Sequence, residues 1–174
     1  MTTKPISKKL LLLGEIGVGK TSLVRRVVLD DFSTDYRPTM GVDIYRYHVP
    51  GLGPDGRQTV ELVIWDIDGH YGQSIFRHVY GKGAAGALII GDLTRYPTLE
   101  HMSKMAQGFE ENMPGRFWAY VLNKTDLCAQ PADMPLPSPI AAATPPPTRT
   151  SALNGENVRD VFRAAAAAIL RREV

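Results

Sequence analysis

The chain is poor in the features that mark secreted, membrane-spanning and nucleic-acid-binding proteins. Its 174 residues include one cysteine, Cys128, which excludes an internal disulfide and fits a reducing compartment. No apolar run reaches the roughly 18 residues of a membrane-spanning helix. The formal net charge is only +2, whereas a nucleic-acid binder concentrates basic residues on one face. We therefore expect a cytoplasmic protein with no nucleic-acid partner.

Neither end of the sequence carries a targeting or lipidation signal. Lys4, Lys8 and Lys9 precede only a short run of leucines before Gly14, which is too short for the apolar region of a signal peptide. The second residue is threonine, whereas N-myristoylation requires glycine there, and residues 171–174 contain no cysteine for prenylation. The sequence therefore predicts no lipid anchor.

The length fits one compact domain, residues 1–174. Apolar runs alternate with segments whose apolar residues recur at helical spacing, which is typical of an α/β protein with a mostly parallel sheet. The turn-rich segment 50–56 predicts a hairpin, so the sheet should be mixed. The predicted strands are 10–13, 43–49, 59–65, 84–91 and 117–122, and the predicted helices begin at residue 20, span 98–113 and begin near residue 154.

Residues 131–147 are the unusual part of the chain, because they hold seven of its thirteen prolines. Proline lacks a backbone donor and blocks the preceding turn, so no long helix can cross this segment. At most one short turn fits, around residues 140–143. We expect a rigid surface loop.

The strongest motif is GEIGVGKT at residues 14–21, which matches G-x-x-x-x-G-K-[ST] between a predicted buried strand and a predicted helix. The glycines let backbone N–H groups surround a phosphate, and the helix N-terminus adds partial positive charge. Lys20 is predicted to reach the outer phosphates and the Thr21 hydroxyl to bind Mg²⁺. The segment assigns nucleotide binding to Glu15, Gly17, Val18, Gly19, Lys20, Thr21 and Ser22.

The second motif, NKTD at residues 123–126, also follows a predicted buried strand. A carboxylate at Asp126 can accept hydrogen bonds from the two N–H donors of guanine, a pair that adenine lacks. Asn123 would position the base and the neighbouring loop, and the stem of Lys124 would lie along the base plane. The motif is short, but its place downstream of a glycine-rich phosphate loop makes it specific for a guanine nucleotide.

Three weaker elements complete the set. Asp66, at the end of a predicted strand, suits Mg²⁺ binding through water, and Gly69 can offer its backbone N–H to a γ-phosphate. Thr39 places a hydroxyl in the loop between the first helix and the second strand. Ser151 and Ala152 precede the last helix, where their backbone N–H groups would meet the guanine O6.

The order of these elements resembles the Ras superfamily, and the segments between them resemble its Rab branch. Residues 36–43 (YRPTMGVD) are similar to the Rab switch I and the strand after it, and residues 80–88 (YGKGAAGAL) to the Rab segment after switch II. The resemblance covers about residues 8–128 and 148–172. It implies a P-loop small G domain with a six-stranded mixed sheet flanked by helices, which exchanges GTP and GDP and hydrolyses GTP slowly.

Site residues and partners follow from the same resemblance. It gives Lys20 and Gly69 a catalytic part. His70 is the third catalytic candidate, because translational GTPases are similar to this chain here and could use such a histidine to orient the attacking water; the alternative is a solvated loop histidine. Residues 33–43 and 66–82 would form the surface for effector, exchange-factor and activating proteins, and we expect a monomer. Mg²⁺ binding is assigned to Thr21, Thr39 and Asp66, and nucleotide binding beyond the glycine-rich loop to Thr39, Asn123, Lys124, Asp126, Ser151 and Ala152.

The chain departs from the family pattern at several positions. Ile16 stands where the family has a small residue beside the γ-phosphate, so it should crowd an incoming arginine and slow hydrolysis. His70 replaces the glutamine that orients the attacking water, and Asp68 brings a negative charge close to the γ-phosphate site. Leu153 replaces the lysine of the S-A-K motif.

These departures leave two readings besides a slow GTPase switch. One is a pseudo-GTPase that binds nucleotide without productive hydrolysis and serves as a binding scaffold. The other is an ATP-using P-loop kinase, which would leave the motif at residues 123–126 unexplained.

Overall fold

The computed structural model describes residues 4–35, 37–67, 69 and 81–172. None of the helices in these ranges is long and apolar enough to cross a membrane. Short 3-10 turns occur at Thr125–Leu127 and Pro131–Asp133. The elements in chain order are β1 (Ile6–Leu13), α1 (Lys20–Leu29), β2 (Val42–Leu52), β3 (Gln58–Ile67), β4 (Ala84–Asp92), α2 (Tyr96–Asn112), β5 (Phe117–Asn123), α3 (Ser138–Ala141), β6 (Thr148–Arg149) and α4 (Val158–Arg171).

Within the described residues, six strands form one sheet in the order β2-β3-β1-β4-β5-β6. β2 and β3 pair antiparallel, and all other neighbours pair parallel. The predicted mixed sheet and the predicted hairpin between β2 and β3 are therefore confirmed. Several strands extend one to four residues beyond the predicted bounds, because polar residues at strand ends carry no alternation signal.

Helices cover both faces of the sheet. In β1, Leu10 and Leu12 pack into an apolar cluster with α1 and α4, whereas Leu11 and Leu13 pack into a second cluster with α2 and α3. Burial on both faces explains why β1 ends in a continuous leucine run instead of an alternating pattern. Because β1, β3, β4 and β5 run parallel, their carboxyl ends lie at one edge of the sheet. This is the edge where ligands bind in open α/β sheets.

The proline-rich segment 131–147 is only partly the surface loop that the sequence predicts. It contains the 3-10 turn at Pro131–Asp133 and the four-residue helix α3. Ile140 of α3 is completely buried in the apolar cluster that α2 forms with the sheet. The proline pattern correctly excludes a long helix, but it gives no sign that one turn of the segment inserts into the core.

We predict that Ile140→Ala lowers the free energy of unfolding by about 2–5 kcal/mol, because it removes a buried side chain from a packed cluster. Leu29→Ala is the matched control, since Leu29 is 57% exposed at the end of α1 and should change stability by about 0.5 kcal/mol or less. Urea unfolding measures both values. Equal midpoints for the two variants would contradict anchoring of the segment through Ile140.

Candidate functional site

The loop between β1 and α1, residues 14–19, wraps around the side chain of Lys20. The Lys20 ammonium is buried and donates hydrogen bonds to the carbonyls of Gly14 (2.8 Å) and Glu15 (2.9 Å). The loop therefore carries a positive charge at the point where α1 begins. The same end of α1 adds its own partial positive charge, so the loop is suited to bind an anion.

Close packing requires glycine at several positions around this loop, and two of them show which segments lie against it. Gly19 has φ of 102°, and a Cβ there would lie 2.2 Å from Nδ2 of Asn123. A Cβ at Gly69 would lie 2.6 Å from the backbone nitrogen of Ile16. Gly69, after β3, thus lies directly against the loop. Its predicted contact with a γ-phosphate stays a prediction. Asp68 and His70 lie outside the described residues, so their assigned roles stay predictions.

Three side-chain oxygens from separate segments meet beside Lys20. Thr21 Oγ1 donates to Oδ2 of Asp66 (2.5 Å), and it lies 2.8 Å from Oγ1 of Thr39. Asp66 is fully buried at the end of β3, and among the described residues its Oδ1 has no hydrogen-bond partner. Burial raises the pKa of the Asp66 carboxyl, an effect that the Thr21 hydroxyl and the Lys20 charge oppose. A buried carboxylate with one unpartnered oxygen is suited to bind a cation.

Asn123 at the end of β5 joins the glycine-rich loop to the loop before α4. Its side-chain nitrogen donates to the carbonyl of Val18 (3.0 Å). Its side-chain oxygen accepts from Thr150 Oγ1 (3.1 Å) and from the Ala152 backbone N–H (3.3 Å). One buried amide therefore fixes the distance between two loops more than a hundred residues apart in sequence.

Asp126 lies in the 3-10 turn after β5, and Ser151 holds its carboxylate in place. Ser151 Oγ donates to Oδ1 of Asp126 (2.6 Å), while the Ser151 backbone N–H donates to the carbonyl of Glu156 (3.1 Å). The structure thus gives Ser151 a different part from the one expected, because its N–H is engaged within the loop. Ser151 acts on the site through the Asp126 carboxylate.

A buried carboxylate that the sequence analysis missed, Asp92, organises the outer side of the glycine-rich loop. Its Oδ2 accepts from Lys124 Nζ (2.8 Å) and from Arg95 Nε (3.0 Å). Lys124 also donates to the carbonyl of Gly17 (2.6 Å), and Arg95 Nη2 donates to the carbonyl of Ile16 (2.8 Å). The available signal was a charged residue at the end of β4, a strand that is buried throughout.

Many of these groups line a cavity of about 630 Å³. The predicted residues among its lining are Gly17, Gly19, Lys20, Thr21, Ser22, Thr39, Gly69, Asn123, Lys124, Asp126 and Ala152. The lining does not include four of the predicted residues: Glu15, Val18, Asp66 and Ser151. Glu15 instead forms an ion pair with His101 of α2.

Phe32 and the cations Arg25 and Arg37 also line the cavity, and the sequence analysis missed all three. An aromatic residue just after α1 was the available signal for Phe32. Arg25 is paired with Asp31, which holds the pKa of the Asp31 carboxyl below its ordinary value, with the hydrogen bond from Arg25 as the main cause.

A doubly covered mixed sheet with a glycine-rich anion loop at the carboxyl ends of its strands defines a P-loop nucleotide-binding protein. The family model described as "Ras family" matches residues 9–171. The chain therefore belongs to the Ras family.

Several Rab proteins are similar to this chain. Human Ras-related protein Rab-32 is 42% identical over 96 residues, which cover 55% of this chain and 41% of the relative. Rab-32C of Dictyostelium discoideum is 33% identical over 135 residues (75% and 57%), and human Rab-34 is 28% identical over 162 residues (88% and 60%). Within the family the chain is most similar to the Rab branch, and it spans about half the length of these relatives.

We predict that Asp92→Asn lowers the free energy of unfolding by about 3 kcal/mol at pH 7, because it leaves two cations without their buried counter-charge. Burial alone would raise the pKa of Asp92, but the hydrogen bonds from Lys124 and Thr94 outweigh it and hold this pKa below its ordinary value. The ionised carboxylate therefore stabilises the fold above the unfolded-state pKa of about 4, and this stabilisation is lost as the pH falls through the lower folded-state pKa.

Urea unfolding between pH 3 and pH 7, set by the pKa range above, measures the difference between wild type and Asp92→Asn. The difference in the free energy of unfolding between the two proteins should decrease below about pH 4. Asp160→Asn serves as the control, because Asp160 is exposed in the first turn of α4, and its effect should stay near 0.5 kcal/mol at most. A gap that is independent of pH would contradict the role of the ionised carboxylate.

Proposed function

We propose that the protein is a guanine-nucleotide-dependent molecular switch that binds GTP or GDP with Mg²⁺ and hydrolyses GTP slowly. The observation that carries this proposal is the single cavity that joins the glycine-rich loop to Asp126 and Ala152. Membership of the Ras family supports it. The cavity has both an anion-binding end and an end with a fixed carboxylate, which together match a nucleoside di- or triphosphate.

At the anion-binding end, the loop N–H groups and the Lys20 ammonium would hold the phosphates. Lys20 is buried and already lies in the mouth of the loop, so it needs little rearrangement to contact phosphate oxygens. An ammonium group and oriented backbone donors stabilise charge that builds up on the phosphates during hydrolysis.

The oxygens of Thr21, Thr39 and Asp66 fit Mg²⁺, which prefers hard oxygen donors and keeps several of its waters. The Asp66 Oδ1 atom, buried and without a hydrogen-bond partner among the described residues, is the strongest sign of such a cation. Phosphate oxygens and waters would complete the coordination, as is usual for Mg²⁺ at nucleotide sites. Bound Mg²⁺ would neutralise phosphate charge.

At the opposite end, the Asp126 carboxylate would accept the N1–H and the 2-amino N–H of guanine. The Ser151 hydroxyl fixes this carboxylate. The ring of Phe32 lines the same cavity and offers a flat apolar surface to a purine. Adenine has no matching donor pair, so the expected order of affinity is guanine nucleotides well above adenine nucleotides.

The switch itself would lie in the loops that carry Thr39 and Gly69. Thr39 is bonded to the Thr21 hydroxyl and Gly69 lies against the glycine-rich loop, so both segments touch the region where a γ-phosphate would bind. Loss of the γ-phosphate would release these contacts. Residues 33–43 and 66–82 would accordingly bind effector, exchange-factor and activating proteins, with the chain acting as a cytoplasmic monomer.

Slow hydrolysis is proposed because Ile16 lines the cavity where an activating arginine would enter. Such an arginine contributes about 10³ to 10⁵ in rate. The same observation favours a second candidate, a pseudo-GTPase scaffold that keeps its nucleotide. Multiple-turnover phosphate release separates the two, since only an enzyme releases more than one phosphate per protein molecule.

Competition of GTP, GDP, ATP and ADP for the protein, stripped of nucleotide and supplied with Mg²⁺, tests the base preference directly. We predict that Asp126→Asn weakens GDP binding by at least about tenfold and strengthens binding of xanthosine diphosphate, whose 2-oxo group accepts from the new amide. Asp133→Asn is the control and should match wild type for both nucleotides. Equal binding of guanine and adenine nucleotides by wild type would disprove the proposal.

We predict that Ile16→Gly raises the rate of GTP hydrolysis in the presence of free guanidinium or an arginine-supplying activator, because it opens the space beside the γ-phosphate. Single-turnover hydrolysis of pre-bound GTP measures this rate for both proteins. An unchanged rate in the variant would remove steric crowding by Ile16 as the cause of slow hydrolysis.

A further inference from the structure

Arg26, on the second turn of α1, contacts a loop more than a hundred residues away in sequence. Its Nε donates to the carbonyl of Ala152 (2.8 Å), and its Nη2 donates to the carbonyl of Leu153 (2.5 Å). Both acceptors belong to the loop before α4 whose residues line the nucleotide cavity. One guanidinium therefore holds two consecutive peptide groups at the base end of the site.

The third nitrogen of this guanidinium, Nη1, also has a partner, so the orientation of the whole group is fixed. Arg26 Nη1 lies 3.4 Å from the carbonyl of Asp30 and 3.5 Å from its Oδ1. The side chain is only 20% exposed, and its Cδ lies 3.7 Å from the position of a Cβ at Gly155. The planar guanidinium presents several donors at a fixed spacing, whereas a lysine ammonium is a single point on a flexible stem, so lysine at this position would not reproduce the same three contacts.

The loop held by Arg26 carries the groups that would recognise guanine. Ser151 fixes Asp126, and Ala152 and Leu153 line the cavity. Leu153 supplies no charge to order this loop, and its side chain is 47% exposed. A cation from α1, Arg26, therefore orders the loop. The first two residues of the same helix, Lys20 and Thr21, line the cavity at its anion-binding end.

We infer that Arg26 is a positioning residue for guanine recognition: it holds loop 151–153 against α1 so that the loop and Asp126 meet the base in the correct place. This inference rests on the proposed function. It adds that base selectivity depends on a side chain of the phosphate-binding helix that does not itself line the cavity. Its removal should accelerate nucleotide release and reduce the preference for the guanine edge of a purine.

The test compares wild type, Arg26→Ala, Arg26→Lys and Arg163→Ala. Arg163 is the matched control, because its guanidinium also donates to two consecutive carbonyls, Pro50 (2.7 Å) and Gly51 (3.0 Å), on a part of the surface that does not line the cavity. Dissociation of fluorescent GDP gives the release rate. Competition with 2-aminopurine riboside diphosphate, which lacks the 6-oxo group and the N1 proton, gives the base-selectivity ratio.

We expect Arg26→Ala to release GDP about ten times faster and to lower the ratio of GDP to analogue affinity by a similar factor. Arg26→Lys should fall between Arg26→Ala and wild type in both measurements, and Arg163→Ala should match wild type. If Arg26→Ala does not fold, the comparison of Arg26→Lys with Arg163→Ala decides the question by the same ratio.

Two results would overturn the inference. One is a release rate and a selectivity ratio in the Arg26 variants that equal those of wild type. The other is faster release of GDP with an unchanged ratio of GDP to analogue affinity, which indicates a general loss of stability. Failure of wild type itself to bind GDP is a separate outcome, and it would overturn the proposed function together with this inference.

Discussion

The structure depends on how the carbonyls of the glycine-rich loop are satisfied. A loop that turns its N–H groups toward a ligand must find donors elsewhere for its own carbonyl groups. Each carbonyl from Gly14 to Gly19 has such a donor. The donors in order are Lys20 for Gly14 and Glu15, Arg95 for Ile16, Lys124 for Gly17, Asn123 for Val18 and the backbone N–H of Leu23 for Gly19. The loop is therefore shaped by side chains that follow the ends of two strands, β4 and β5, and by α1.

Hydrogen bonds from two side chains connect the phosphate end of the cavity to its base end. Asn123 contacts the glycine-rich loop with one side-chain atom and the loop before α4 with the other. Arg26 makes a second connection between α1 and that loop. The base end and the phosphate end are therefore held together by hydrogen bonds within a packed core.

The two buried carboxylates at the site, Asp92 and Asp66, have different surroundings. The Asp92 carboxylate is surrounded by donors, so its pKa lies below the ordinary value although burial acts in the opposite direction. The Asp66 carboxylate is dominated by burial, and its pKa is raised. The first carboxylate is thus neutralised within the protein and has a structural part. The second keeps one oxygen, Oδ1, without a hydrogen-bond partner among the described residues, which fits the cation proposed for it.

The sequence alone determined the class of fold and most of the site, because both depend on local patterns. Periodic apolar residues define the strands and helices, and the segments 14–21 and 123–126 carry their chemistry in consecutive residues. Tertiary structure decided which residues orient those segments. Asp92, Arg95 and Arg26 act through contacts between distant parts of the chain, and Ile140 enters the core from a proline-rich loop. No local pattern encodes such contacts, since the partners meet only when the sheet brings the carboxyl ends of its strands together.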